Sequence, residues 1–330
     1  MKKLIIFFMC AFFLIQTWVN IVDYSNKQLD FYGNYENKNF NAFIIPDIEE
    51  ISYKDKLSKV LLETAMQTKT NIYRSTFVDG KKKGTYEIIK FVLLVTDSNY
   101  LKKYDIVSGK MLTIKETQSN DENIYVTSYE KSNVNKVGTI NAKMMGRDIT
   151  VRPMFQMFSY YKAGGLYYAE TNKSISEFKK VLVENINKEC KTNISISDLK
   201  SDSLVSGVPM KDTTLENIIC VILAVFVILF FLYSILNGSK EIAVMKIMGN
   251  SSISILKKLY LKKFLIASVS MVILLVFNIY YTFSIKNTAI LFLKFICMSS
   301  IIMSICIILF LFLTSGSSIL NGLKGKKIQG

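Results

Sequence analysis

The sequence predicts an integral membrane protein with an α-helical membrane domain of four transmembrane helices and an α+β extracytoplasmic domain inserted between helices 1 and 2. Three observations carry this prediction. Half of the 330 residues are hydrophobic. They are concentrated in four apolar runs, each close to the ~20 residues that a helix needs to cross a bilayer. A polar stretch of ordinary globular composition separates the first run from the other three.

The apolar runs also set the predicted boundaries. The predicted order is transmembrane helix 1 at 1–22, the outer domain at 23–215, transmembrane helix 2 at 216–237, a cytoplasmic coupling hairpin at 238–263, transmembrane helix 3 at 264–284, transmembrane helix 4 at 289–314 and a cytoplasmic tail at 315–330. The competing reading of the first run is a cleaved signal peptide. We favour an uncleaved anchor, because the run has the length of a span and its end lacks a clear small-x-small cleavage site.

The positive charge of the chain is a topology signal. The formal net charge is +15, yet residues 23–215 carry 28 Lys and Arg against 24 Asp and Glu. Most of the excess lies in lysines at the ends of the apolar runs, on the side shared by both termini and the coupling hairpin. Because cytoplasmic loops are enriched in Lys and Arg, both termini are predicted to be cytoplasmic and residues 23–215 to lie outside. A nucleic-acid partner is not expected.

Catalytic chemistry has few candidates in this sequence. The chain has no histidine, which removes the commonest general base and metal ligand. Of its five cysteines only Cys190 lies outside the apolar runs, and no Cys-x-x-Cys pair occurs. A Gly-rich phosphate-binding loop ending in Gly-Lys-Ser/Thr is absent as well. We therefore predict no catalytic site, no metal site and no cofactor, and we do not expect an enzyme.

The outer domain has mixed helix and strand signals. Apolar residues at helical spacing predict a helix over 54–71, and two β-rich runs at 72–78 and 85–96 flank the turn Asp79-Gly80 and predict a β-hairpin. A second helix is predicted from Ser174 to Glu189, with Glu177 completing a capping box. Residues 194–199 are predicted to form a last strand or turn.

Tyrosine is abundant in the outer domain, and two interpretations remain open. The tyrosines could form an adhesive surface for a peptide or lipid, or they could be half-buried positions of a strand-rich core, which is the more frequent case. The residues concerned are Tyr86, Tyr100, Tyr104, Tyr125, Tyr129, Tyr160, Tyr161, Tyr167 and Tyr168.

The coupling hairpin contains a short helix-prone segment at 239–250. Ser239 is predicted to cap its start, and Gly249 to end it in a left-handed conformation. Ser251 or Ser252 is then predicted to cap the helix that continues into the next span.

One face of this predicted helix is apolar. Ile242, Met245 and Met248 or Gly249 share it at three-residue spacing. The stripe could lie against the bilayer surface, or it could be offered to a groove of a partner protein.

The segment also resembles a known signature. In this segment a basic residue is followed by Glu, Ile, a small residue, an aliphatic residue, Met, a second basic residue, two aliphatic residues and Gly. This order is similar to the element that follows the second span of MacB/FtsX-type ABC transporter permeases, where that element contacts the ATPase. The matching positions are Lys240, Glu241, Ile242, Lys246 and Gly249. With Met245 added, these are the residues that the resemblance assigns to the ATPase contact.

The resemblance covers the order of spans and domains across essentially the whole chain. The composition and the Lys-Gly-Lys tail look most like bacteriocin-associated integral membrane proteins of Gram-positive bacteria, which are usually longer, so that this chain matches one half. The resemblance implies a permease of a bacterial cell membrane, in a homodimer or heterodimer with a second permease subunit and with a separate ABC ATPase. It implies mechanotransmission, in which ATPase closure moves the coupling hairpin and the spans relay that motion to the outer domain.

A second function class remains open from the residues. The chain could be a membrane sensor or immunity protein whose outer domain binds a peptide or a cell-wall partner without any ATPase. A mere anchor would tolerate a scrambled coupling hairpin of equal charge, whereas an ATPase contact would not.

Overall fold

The chain forms two compact units. In the computed structural model, one unit comprises the described residues up to Tyr24 and from Lys211 onward, and the other comprises Ser25–Met210. We call them the helical unit and the sheet unit. The structure describes residues 2–47, 54–80, 85–128, 136–142, 144, 146–172, 174–199, 208–282 and 285–314.

Four long helices in the described residues are apolar enough to cross a membrane, as the sequence predicts. They are α1 (Lys2–Gly33), α7 (Thr214–Asn237), α9 (Ser252–Thr282) and α10 (Ile285–Leu313). Much of the side-chain surface of α9 and α10 is apolar and exposed within the chain, as in helices that face lipid. The described residues thus agree with a multi-pass membrane protein.

Helix α1 is longer than the predicted span. It continues to Gly33, whereas the prediction for helix 1 ends at residue 22. The extension is amphipathic, with Ser25, Leu29 and Tyr32 buried at helical spacing. The polar residues between them suggested a domain boundary in the sequence, but the extension is helical and packs within the sheet unit.

Helix α9 also begins earlier than the predicted span. It starts at Ser252, so residues 252–263 of the predicted coupling hairpin belong to the same helix as the apolar segment that follows. The hydropathic part is Leu265–Thr282. The lysine-rich first turns and the membrane-length segment are therefore one continuous helix.

Two apolar clusters hold the helical unit together. The first joins all four long helices through Phe12, Phe13, Cys220, Ala267, Leu291 and Phe295. The second joins α7, α9 and α10 to the short helix α8 (Ser239–Ile247) through Phe231, Ile235, Ile242, Ile255, Tyr260, Cys306 and Phe310. The short helix is thus packed into the unit rather than suspended between two spans.

The sheet unit is built on a mixed sheet of eight strands in the described residues, in the order β1-β8-β2-β3-β7-β5-β6-β4. The strands are β1 (Asn41–Ile45), β2 (Asn71–Asp79), β3 (Tyr86–Leu93), β4 (Ile106–Gly109), β5 (Val126–Thr127), β6 (Gly138–Ile140), β7 (Arg147–Pro153) and β8 (Gly165–Glu170). The pairs β3–β7 and β5–β6 are parallel, and the other pairs are antiparallel. An α/β domain between the first and second spans agrees with the predicted layout.

Both faces of the sheet are covered. One face packs against α3 (Lys54–Thr68), α5 (Met154–Tyr160) and α6 (Ile175–Cys190). The other packs against the end of α1 and the segment around a 3₁₀ turn at Leu101–Lys103. The remaining short helices are α2 (Tyr35–Asn39) and α4 (Ile114–Thr117), and a second 3₁₀ turn spans Ile196–Leu199.

Side chains alternate between these faces along β3. Ile88 and Val92 enter one core, and Phe91 and Leu93 enter the other. A strand with both faces covered is expected to be apolar at every position. Lys90, which points to the same face as Ile88 and Val92, departs from this pattern at a fully buried position.

Local predictions for the sheet unit meet different outcomes. The β2–β3 hairpin is confirmed. The helix predicted over 54–71 is confirmed too, but it ends at Thr68, and Asn71 is already the first residue of β2. The capping box at Ser174 is wrong, because the Ser174 hydroxyl lies 2.6 Å from the Ser176 hydroxyl and makes no bond to the helix N-terminus. Of the two alternatives predicted for residues 194–199, the turn is correct, since Ile196–Leu199 forms a 3₁₀ turn.

Of the eight tyrosines in this set that the structure describes, four lie in the core, and Tyr125 and Tyr161 are half-buried. Tyr100, Tyr104, Tyr167 and Tyr168 are buried, whereas Tyr86 and Tyr160 are exposed. Tyr129 lies outside the described residues. The core interpretation is therefore correct for those four tyrosines.

Candidate functional site

The candidate site is the short helix α8 with the turns at its two ends. It begins directly where α7 ends: the Gly238 N–H donates to the Ser234 carbonyl at 3.1 Å, and the Gly238 carbonyl accepts the first bond of α8, from the Ile242 N–H at 3.0 Å. Gly238, rather than the predicted Ser239, is thus the residue before the helix. Because Gly238 serves both helices, α7 and α8 are joined with no intervening loop.

The C-terminal end of α8 is a Schellman motif. Gly249 has a left-handed φ of +80°, and the space around its Cα is open. The Gly249 N–H donates to the Lys246 carbonyl at 2.9 Å, and the Asn250 N–H donates to the Met245 carbonyl at 3.1 Å. The predicted left-handed glycine end is confirmed.

Asn250 and Ser251 connect this end to α9. The Asn250 side-chain amide donates to the Met245 carbonyl at 3.0 Å, and its Oδ1 accepts from Lys258 Nζ at 3.1 Å. The Ser251 hydroxyl accepts from the Ser254 N–H at 3.3 Å, so Ser251 is the cap of α9. Helix α8 is therefore fixed at both ends by residues of its neighbours.

The predicted apolar stripe is divided between the core and the surface. Ile242 is only 4% exposed and belongs to the cluster with Phe231 and Tyr260, and Met245 packs against the same cluster. Met248, by contrast, is 74% exposed. Ile242 and Met245 share a face as their spacing predicts, but this face points into the helical unit.

A different face of α8 is exposed. Val244, Ile247 and Met248 all have more than half of their side-chain surface exposed, and Lys240 and Glu241 are exposed one turn before Val244. Sequence reasoning missed Val244 and Ile247. The available signal was helical spacing: Val244 lies three and four residues after Glu241 and Lys240, and Ile247 lies three residues after Val244, which places them on one side of the helix.

Each residue assigned by resemblance now has a place. Lys240, Glu241 and Gly249 are exposed, Lys246 and Met245 are half-buried, and Ile242 is buried. The structure contains no partner chain, so the ATPase contact of these residues stays a prediction. Their exposure divides them into side chains that can meet a partner directly and side chains that hold the helix in place.

The helical unit also contains a cavity of about 370 Å³. Of its 14 lining residues, 11 are apolar, and the other three are Ser268, Ser299 and Ser300. Such a lining does not provide a polar route for a hydrophilic solute. The cavity therefore does not point to a hydrophilic channel at this place.

No protein-family model matches the sequence, and no curated protein is significantly similar to it.

Proposed function

We propose that the chain is the membrane subunit of an ABC transporter of the mechanotransmission type and that α8 is the element that receives movement from a separate cytoplasmic ATPase. One observation carries the proposal: α8 is fixed at both ends between two membrane-length helices while it exposes an apolar face with two charges beside it. Because no flexible loop separates α8 from α7, a displacement of α8 by a partner would move α7 and α9 as well.

The exposed face of α8 specifies the kind of partner. Val244, Ile247 and Met248 suit an apolar groove, as in other complexes where an amphipathic helix lies in a groove. Lys240 and Glu241 at the edge suit opposite charges on the rim, which favour one orientation of the partner. In this proposal Ile242, Met245 and Gly249 act indirectly, because they hold α8 in position.

The proposed topology follows the lysines. The coupling hairpin and both termini are cytoplasmic, and the sheet unit is extracytoplasmic, in a bacterial cell membrane. A second permease subunit, identical or related, completes the transporter in the bilayer. The apolar cavity supports a mechanism without a hydrophilic substrate path, in which the sheet unit acts on a bacteriocin or another peptide during export or immunity.

The test is a mild-detergent purification of the tagged protein with identification of co-purified chains by mass spectrometry. We expect an ABC ATPase with the wild-type chain and its loss with Ile247→Asp and with Glu241→Lys. The matched control is Val107→Asp in the sheet unit, since Val107 is 67% exposed and Ile247 is 66% exposed. If no ATPase co-purifies even with a non-hydrolysable nucleotide, the proposal is wrong.

A membrane sensor or immunity protein is the second candidate function, and one observation favours it. Phe77 and Tyr86, near the turn end of the β2–β3 hairpin, are each about half exposed, and alternation along the paired strands places them on the same face. Exposed aromatic side chains are frequent anchors in protein interfaces. Retention of a peptide or cell-wall fragment that Phe77→Ser abolishes, without any ATPase in the purification, would favour this function.

A further inference from the structure

Two charged side chains of the sheet unit are buried in contact with each other. Lys90 is 0% exposed, Glu36 is 1% exposed, and the Lys90 ammonium donates a hydrogen bond to the Glu36 carboxylate. Lys90 lies in the middle of β3, where its same-face neighbours Ile88 and Val92 are apolar core residues. The strand thus carries a charge at a position where its pattern calls for an aliphatic side chain.

Aromatic rings surround the pair. The Lys90 ammonium lies 5.6 Å from the centre of the Tyr100 ring, and Tyr35 stacks on the same ring at 4.3 Å. The Tyr104 hydroxyl donates to the Tyr100 hydroxyl at 2.8 Å. Burial lowers the pKa of Lys90 from its ordinary value, and the Glu36 carboxylate opposes this shift. The ion pair is therefore a buried contact inside an aromatic cluster, and the ammonium also donates to the Ser75 hydroxyl at 3.4 Å.

Glu36 belongs to α2, a helix of five residues that begins two residues after α1 ends. Other contacts hold the same junction: the Asn34 amide and the Val208 backbone exchange two hydrogen bonds, at 3.2 and 2.6 Å. Leu29 and Tyr32 at the end of α1 add apolar contacts. Apolar contacts alone tolerate small shifts of register, whereas a buried charge does not.

Buried ion pairs are weak contributors to net stability. Removing two charges from water costs about as much as their attraction returns, and an apolar pair of similar volume is often equally or more stable. Loss of only one partner leaves an uncompensated charge in the core. The pair thus penalises every arrangement of α2 on the sheet in which Glu36 and Lys90 fail to meet.

We propose that Glu36 and Lys90 form a latch that fixes α2, and with it the C-terminal end of α1, in a single register on the sheet. The latch selects one position of α2 on the sheet, and it adds little or nothing to the free energy of unfolding. It depends only on contacts within the sheet unit, so it does not rest on the proposed transporter function.

The test compares Lys90→Met, Glu36→Met and the double variant in the full-length protein in detergent micelles. Melting temperature reports stability, and hydrogen exchange of the backbone amides at residues 29–40 reports the docking of α1 and α2. We expect each single variant to melt below the wild type and the double variant to melt at or above it. We also expect exchange at 29–40 to be faster in the double variant by about tenfold.

The control is the exposed ion pair between Lys38 and Asp30, which lies on the same segment with its atoms 2.5 Å apart. Lys38→Met with Asp30→Asn is expected to change neither quantity measurably. Three results would overturn the latch: single variants as stable as the wild type, a double variant as unstable as the singles, or a stable double variant whose exchange at 29–40 is unchanged.

Discussion

The helical unit and the sheet unit bury apolar side chains in comparable ways but in different surroundings. Phe91 in the sheet unit and Phe231 in the helical unit are each 1% exposed. In the sheet unit the alternative to burial is water, whereas for a membrane helix the alternative is lipid, which is as apolar as the core. The same degree of burial therefore stabilises the two units by different amounts.

The two units also differ in the exposure of their charged side chains. Around α8 the charged side chains of Lys240 and Glu241 remain exposed, where they can meet a partner. In the sheet unit Lys90 and Glu36 are buried against each other, where they can only meet within the chain. In our two proposals the exposed charges at α8 serve recognition of a partner, and the buried charges at α2 serve internal register.

Phenylalanine truncation gives the largest expected effect. Phe91→Ala is expected to destabilise the sheet unit by about 3–5 kcal/mol, since it removes a buried ring and leaves a cavity. Phe231→Ala is expected to cost the helical unit about half of that or less, because the hydrophobic transfer term is missing in lipid. Pulsed thiol labelling separates the two, since Cys190 is buried in the sheet unit and Cys306 in the helical unit. Equal losses in both units would contradict the comparison.

Alkaline pH is the second way to distinguish the stability of the sheet unit from that of the helical unit. Burial raises the pKa of Tyr167 to about 12. The pKa of Tyr167 in the folded protein lies above the unfolded value near 10. Its contribution to the free energy of unfolding is therefore fully present below pH 10 and is lost as the pH rises to about 12. The loss is about 2–3 kcal/mol at 1.4 kcal/mol per pH unit. Thermal unfolding followed by circular dichroism checks it, and Tyr167→Phe should show a shallower decline. A decline of equal slope in that variant would exclude this role.

The left-handed glycine offers a smaller effect. Gly249→Val is expected to strain the end of α8 by about 1–2 kcal/mol, because a β-branched side chain disfavours the positive φ. Gly249→Asn is the matched control, since asparagine tolerates this conformation. We expect membrane insertion with both and weaker ATPase capture only with valine. Capture that is equal in both variants would show that the shape of this turn is unimportant.

Helix caps give the smallest effect. Ser251→Ala is expected to cost about 1 kcal/mol, because the hydroxyl accepts the Ser254 N–H at the start of α9. Ser174→Ala in the sheet unit is expected to cost much less, because its hydroxyl does not bond to α6. Denaturant unfolding monitored by the same two cysteines measures both. A larger loss of unfolding free energy for Ser174→Ala than for Ser251→Ala would contradict the assignment of Ser251 as the capping hydroxyl.

Local chemistry could be predicted from the sequence where one residue decides it. Gly249 is an example, since a positive φ depends on residue type and immediate neighbours. The cap of α9 lies at Ser251, one of the two serines predicted, whereas the capping bonds predicted at Ser239 and Ser174 are wrong. The four spans were predictable as well, because hydropathy over ~20 residues is a direct physical requirement of the bilayer.

Features that depend on tertiary packing could not be predicted. The spacing of Ile242 and Met245 shows that they share a face of α8, but not that this face points inward. The extension of α1 to Gly33 is concealed by polar residues whose apolar neighbours find partners only in the folded sheet unit. The contact of Glu36 with Lys90 joins residues 54 positions apart, so the interruption of the β3 pattern at Lys90 does not identify its partner.

The most direct test of the central claim is site-specific photo-crosslinking in native membranes, with p-benzoylphenylalanine placed at Ile247 in one variant and at Ile242 in another. Ile247 is on the exposed face of α8 and Ile242 is buried beneath it. We predict a crosslink to an ABC ATPase from position 247 and only internal crosslinks from position 242. An ATPase crosslink from neither position, or from 242 alone, would contradict the assignment of α8 as the contact.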